Sequence, residues 1–171
     1  MVAPASVSSS QPNPGPAPAP RDVGASLEVA PAALLMALIA LAAFWPALGG
    51  GYVFDDHELL GSGGVVTGSL ASLWRGSGSD YWPITSTTFW LERRLLGGAT
   101  LPGHLVNLAL HVTMALLLRR VLLRLAVPGA LAGALLFLVH PVTVESVAWL
   151  SERKNVLSGA LFMGSGLAWL T

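Results

Sequence analysis

Cysteine is absent from all 171 residues. The chain therefore has no disulfide, no thiolate nucleophile and no cysteine-ligated metal, and its redox compartment stays open. Charge is scarce. Asp, Glu, Lys and Arg make up 11% of the chain, less than half of the roughly 25% usual in a soluble domain. Basic and acidic side chains number 9 each and cancel. The basic footprint of a nucleic-acid binder is thus missing, and no nucleic-acid partner is expected. There is no Walker loop, no dinucleotide-binding glycine fingerprint and no Gly-x-Ser-x-Gly elbow. The N-terminus also lacks the basic start and prompt apolar run of a secretory signal peptide.

What is present is mostly apolar: 53% of residues are hydrophobic, and the mean hydropathy is +0.65. This composition predicts an all-α polytopic membrane protein. Residues 1–29 form a Pro/Ala-rich tail, including the run from Gln11 to Pro20, where repeated proline removes backbone donors and blocks helix. Residues 30–171 read as the N-terminal part of a membrane domain. The apolar pattern predicts about four spans, near 30–48, 104–125, 130–150 and 156–171; the first is close to the roughly 20 residues needed to cross, the third stays apolar only to Val139, which is short for a crossing, and Val156 opens the fourth. The chain stops at Thr171 inside an apolar run, which reads as a piece of something longer.

The segment between the first two spans, residues 49–103, is a long loop broken by Gly61–Gly64 and Arg75–Ser79. Val65–Trp74 and Trp82–Leu96 read as short helices lying in the interface, a placement favoured by Trp74, Trp82 and Trp90. Arg119, Arg120 and Arg124 mark the far end of the second span and, by the positive-inside rule, the cytoplasmic side. The N-terminus is then cytoplasmic, and the 49–103 loop is extracytoplasmic. His104, Asn107 and His111, spaced for one helix face, read as cross-helix hydrogen-bonding residues. Ser158, Gly159, Gly164, Ser165 and Gly166 would let neighbouring helices approach closely.

Two polar knots interrupt the apolar pattern. Asp55-Asp56-His57-Glu58 follows the first span, and His140 to Asn155 lies between the third and fourth. Charges beside lipid are costly and mark functional sites. On an extended segment the side chains of Asp55 and Asp56 point to opposite faces. One carboxylate can then serve as a base while the other accepts loop hydrogen bonds or helps to hold a cation. The same doublet also reads as an ordinary turn. Helical continuity from Val144 to Asn155 would put Glu145 and Glu152 two turns apart on one face. Arg153 and Lys154 can carry a phosphate as a fork and a point charge. Arg93 is a further positive group on that side, and His140 reads as a structural histidine, an acid–base group or a metal ligand. Magnesium or manganese would suit the carboxylates, although the spacing specifies no metal.

Three blocks together resemble the membrane-embedded, polyprenyl-phosphate-sugar-dependent glycosyltransferases of the C-type fold. The likeness is greatest to transmembrane O-mannosyltransferases with tetratricopeptide repeats and to their bacterial relatives. The blocks are Tyr52-Val-Phe-Asp-Asp56, Tyr81-Trp-Pro-Ile-Thr-Ser-Thr-Thr-Phe-Trp90 continuing to His111, and His140-Pro-Val-Thr-Val-Glu145 continuing to Asn155. The resemblance implies transfer of a sugar such as mannose, with inversion, from a lipid-linked donor to an acceptor hydroxyl on a protein or glycan. It makes Asp55 or Asp56 the catalytic base. It places His140, Glu145, Glu152, Arg153, Lys154 and Arg93 around the substrate and its phosphate. Membrane lipid is the surrounding partner, a bacterial inner membrane the expected location, and the fragment alone is expected to be inactive. A scaffold with C-terminal tetratricopeptide repeats and a transporter of a lipid-linked substrate are the competing readings.

Overall fold

The computed structural model describes residues 29–61, 65–76 and 81–170. The Pro/Ala-rich tail through residue 28, residues 62–64 and 77–80, and Thr171 lie outside them. The described residues are helical and contain no strand.

Helix α1, Val29–Phe44, is apolar all round, as a helix facing both protein and lipid must be. Pro31 sits in its first turn, where its missing N–H costs nothing. Ala32, Met36, Ala40 and Phe44 recur every four residues and form the buried ridge, while Leu34 and Leu38 face outward. A 3-10 turn at Trp45–Gly49 carries Pro46 and ends the helix.

The loop that follows is a cap built from three short helices. These are α2 (Asp56–Leu60), α3 (Leu70–Trp74) and α4 (Pro83–Leu96). The stretch expected as one helix over 65–74 divides into a 3-10 turn, Val65–Thr67, and α3. Ser69 starts α3, its hydroxyl accepting from the Ser72 amide at 3.2 Å. Helix α4 opens on Pro83 and stops at Gly97, whose φ of 75° makes the left-handed cap that glycine adopts without strain. Leu60, Val66, Phe89 and Leu150 form a small core beneath the cap.

Helix α5, Thr100–Arg124, is the central mast of the bundle. Its middle lies against the end of α1: the Phe44 and His111 rings meet edge to face at 5.7 Å. Helix α6, Ala130–Leu138, returns along α5 but is only about a third as long, because the chain breaks at His140-Pro141. Proline clashes with a preceding helical turn and pushes its neighbour to extended geometry. His140 accordingly sits at φ −67°, ψ 130°. A 3-10 turn, Pro141–Thr143, and α7, Val144–Ala148, climb the remaining distance. Helix α8, Arg153–Trp169, then runs parallel to α5, with Gly159 packed on the Met114 side chain and Gly164 facing Leu117.

Two helical stretches, Val29–Gly49 and Thr100–Arg124, are long and apolar enough to cross a membrane. Ala130–Leu138 and Pro141–Ala148 make a third if taken as one span bent by 49°. The fourth expected span corresponds to α8, which has 17 residues. The pattern of two to three crossings differs from the expected four because the His140-Pro141 break divides one apolar run and α8 is short.

Candidate functional site

The aspartate doublet sits where the chain turns back from α1. Phe54 adopts φ 47°, a left-handed conformation rare outside glycine, and starts the reversal. Asp55 and Asp56 do not lie on an extended strand as expected. They open the one-turn helix α2, where successive side chains diverge by about 100°. They are still sorted onto different sides. Asp56 is fully buried: Oδ2 accepts from the Val53 amide at 3.0 Å and Oδ1 from the Ser151 amide at 2.8 Å. Asp55 is half-buried, and its Oδ1 accepts from the Ser151 hydroxyl at 2.8 Å. The first loop and the α7–α8 junction are thus tied together through both carboxylates and a single serine.

Beneath that tie lies Arg153, the largest fully buried side chain. It forms an ion pair with Glu92 of α4 at 2.8 Å and donates to Asn107 Oδ1 at 2.8 Å and the Gly103 carbonyl at 3.1 Å. Its guanidinium lies 3.9 Å from the centre of the Phe89 ring. One side chain therefore locks α4, α5 and α8. Asn107 completes the lock, its amide aimed at the carbonyls of Val147, Trp149 and Leu150 at 3.2–3.4 Å. These bonds explain the break between α7 and α8, whose carbonyls are satisfied by a side chain rather than by the next helical turn.

Lys154, one residue on, faces outward. It pairs with Glu152 at 2.8 Å and lies 5.9 Å from the Trp82 ring. Lys154, Asp55, Glu58, Trp82, Ser86 and Ser151 line a cleft of about 190 Å³. A more apolar groove of about 430 Å³ adjoins it, walled by Tyr81, Ile84, Leu157 and Leu161 and sharing Trp82, Thr85 and Lys154. The cleft therefore offers two carboxylates and an ammonium beside a hydrocarbon-lined trough.

The other expected residues fall elsewhere. Val144–Asn155 is not one helix, so Glu145 and Glu152 do not share a face: Glu152 serves Lys154 and Asn155, whereas exposed Glu145 lines a separate groove. His140 is exposed and caps the 3-10 turn, its Nδ1 accepting from the Val142 amide. Arg93 donates to the Leu60 carbonyl at 2.7 Å on the far side of the cap. His57 packs edge to face on Tyr52. His104 and His111 hydrogen-bond across helices to the carbonyls of Gly50 and Leu138, and Asn107 does the same, as their shared face predicts. Among the described residues no three or more acidic or histidine side chains converge to hold a metal. A divalent cation at the cleft would have Asp55 and Glu58 as its protein oxygens and would need further ligands from solvent or substrate. Sequence reasoning missed Ser151 and Glu92, since a serine at a helix junction and a glutamate beside two arginines carry no distinguishing pattern.

No protein-family model matches the chain, and no solved structure matches it. Its sequence is similar to several curated proteins. A protein O-mannosyl-transferase of Caenorhabditis elegans is 29% identical over 144 residues, covering 72% of this chain and 21% of that protein. The human protein O-mannosyl-transferase TMTC4 is 30% identical over 167 residues, covering 81% of this chain and 22% of that protein. A Drosophila melanogaster protein O-mannosyl-transferase, Tmtc1, is 35% identical over 133 residues, covering 68% and 15% respectively. The chain thus spans about a fifth of the length of the relatives it matches. Over most of its own length it is related to proteins named protein O-mannosyl-transferases.

Proposed function

We propose that this chain supplies the base and the donor-phosphate side of a membrane glycosyltransferase. The enzyme moves a sugar, mannose, from a polyprenyl phosphate to a protein hydroxyl at the extracytoplasmic face. The observation that carries the reading is the cleft between Asp55 and Lys154 with an apolar trough at its edge. A polyprenyl tail partitions into the trough, which places its phosphate beside Lys154. Asp55 takes the acceptor proton. The acceptor oxygen bonds to the anomeric carbon from the face opposite the phosphate, the carbon–oxygen bond to phosphate breaks, and its electron pair leaves on the phosphate. A positioned base and a cation aimed at the departing charge are what this step needs.

The remaining residues take supporting roles. Glu152 holds Lys154 in place and yields it to the phosphate. Arg153 acts from beneath as a positioning residue, fixing the junction that carries Ser151 and Lys154. Asp56 clamps the turn that presents Asp55. Arg93 braces the cap at Leu60, and His140 holds the turn leading to α7. The relatives' shared name, the sugar-transfer reading of Asp55 and the lipid-facing trough agree.

The test is transfer of radiolabelled mannose from a polyprenyl phosphate to acceptor protein in membranes carrying the whole protein. Asp55→Asn is expected to lower the rate by about 100-fold or more, the scale of a lost general base, with unchanged thermal stability. Undiminished transfer would remove Asp55 from the chemistry.

A further inference from the structure

A second groove lies on the other side of the aspartate turn, and unlike the first cleft it is lined by no lysine or arginine. It has a volume of about 430 Å³ and is walled by Val53, Phe54, Val144, Ala148 and Trp149, with Glu145 at its edge. Glu145 is the one charged side chain lining it; the imidazole of His104, at its base, is turned to the Gly50 carbonyl. Among the described residues no lysine or arginine pairs with Glu145. A phosphate has no partner here. A cation does, because Glu145 lines the same groove as the Phe54 and Trp149 rings, whose centres lie 5.3 Å apart. Aromatic faces and a carboxylate are the usual means of holding an ammonium or guanidinium.

Phe54 supplies an independent observation. It takes a left-handed φ of 47° although it is not glycine, and its side chain is 81% exposed. The Asp56 carboxylate on the Val53 amide holds this turn, and the turn presents the Phe54 ring outward beside the groove. Phe54 also immediately precedes Asp55, and consecutive Cα atoms are about 3.8 Å apart. A chain resting on Phe54 therefore lies one residue from the carboxylate that faces the first cleft.

We propose that this groove binds the acceptor as an extended polypeptide. A lysine or arginine of the acceptor, close to the serine or threonine that receives the sugar, would sit between Glu145 and the Phe54–Trp149 pair. The cationic segment then has its partner in the groove at Glu145, while Lys154 remains in the first cleft for the donor. The inference rests on the transferase reading only for the word acceptor; the binding preference stands or falls by itself.

The experiment uses the whole protein in nanodiscs and two fluorescent peptides, identical except for lysine or glutamate beside a central serine. Fluorescence anisotropy gives each affinity. The wild type is expected to favour the lysine peptide by about three- to fivefold, the range for a partly exposed ion pair, with the preference fading at high salt. Glu145→Gln is expected to level the two affinities and Glu145→Lys to reverse them. Phe54→Gly, which relieves the turn while removing the ring, is expected to weaken both. Equal affinities in the wild type, no binding of either peptide, or a preference untouched by both Glu145 variants would overturn the proposal. Asp55→Asn in the same nanodiscs separates the two ideas. Loss of transfer with the charge preference intact supports both, whereas intact transfer with the preference intact removes only the base.

Discussion

The amide of Ser151 donates to Asp56 Oδ1 at 2.8 Å, joining residues 95 positions apart in the chain. The Ser151 hydroxyl meets the neighbouring carboxylate, Asp55, at the same distance. One serine therefore decides how the two acidic side chains divide their work. Asp56 is consumed by backbone amides, and Asp55 keeps an oxygen for the cleft.

Asp56→Ala is expected to destabilise the protein. It strands the Val53 and Ser151 amides, the latter in a buried site, and an unsatisfied buried donor costs about 1–3 kcal/mol. Thermal unfolding in detergent checks this against Asp55→Ala, whose carboxylate meets a rotatable hydroxyl and whose loss should lower the midpoint less.

Arg153→Ala is expected to be the most damaging single change in the chain. Removing one partner from a buried ion pair costs about 3–5 kcal/mol, and here the same group also serves Asn107 and Gly103. Glu92→Ala should cost less, since the guanidinium retains those two acceptors. The double variant should be less destabilised than the sum of the singles, because Arg153 and Glu92 are in contact. Denaturation midpoints of the four proteins check the coupling.

Sequence pattern carried the elements further than the site. The expected 30–48 and 104–125 spans fall on the helical stretches Val29–Gly49 and Thr100–Arg124, both long and apolar enough to cross a membrane, because apolar runs with proline in the first turn leave few alternatives to helix. The common face of His104, Asn107 and His111 also follows from helical spacing alone. The second polar knot was less legible. Glu152, Arg153 and Lys154 are adjacent and equally polar, and which of them turns inward depends on where α8 begins. That start is set by the Asn107 amide on three carbonyls some 40 residues away, a tertiary contact with no local signature. The same break removed the expected common face of Glu145 and Glu152.

Gly103→Ala tests how tightly the lock is packed. A Cβ there would lie 2.8 Å from Leu150 Cδ2 and 3.1 Å from Glu92 Oε1. Overpacking of this kind costs about 1–3 kcal/mol, and it would press on the Arg153–Glu92 pair. Gly166→Ala, with nothing within 4 Å, is the control and should leave the unfolding midpoint unchanged or slightly raised.

Lys154→Ala is expected to weaken use of the lipid-linked donor. Its side chain lines the cleft and is held by a partly buried ion pair with Glu152 and by the Trp82 ring. Donor titration in the transfer assay should show a KM raised by about tenfold, the scale of a charge-assisted contact of roughly 1.5 kcal/mol, with the unfolding midpoint unchanged. An unaltered donor KM would place the phosphate elsewhere.

The central claim is that the aspartate turn and the α7–α8 junction share one face of the membrane. The absence of cysteine makes it directly measurable. Single cysteines at the exposed positions Glu58 and Asn155, and at Val127 in the turn between α5 and α6, are each challenged with a membrane-impermeant maleimide on oriented vesicles. Glu58→Cys and Asn155→Cys are expected to label from the same side and Val127→Cys from the other. Labelling of positions 58 and 155 from opposite sides would contradict the shared site.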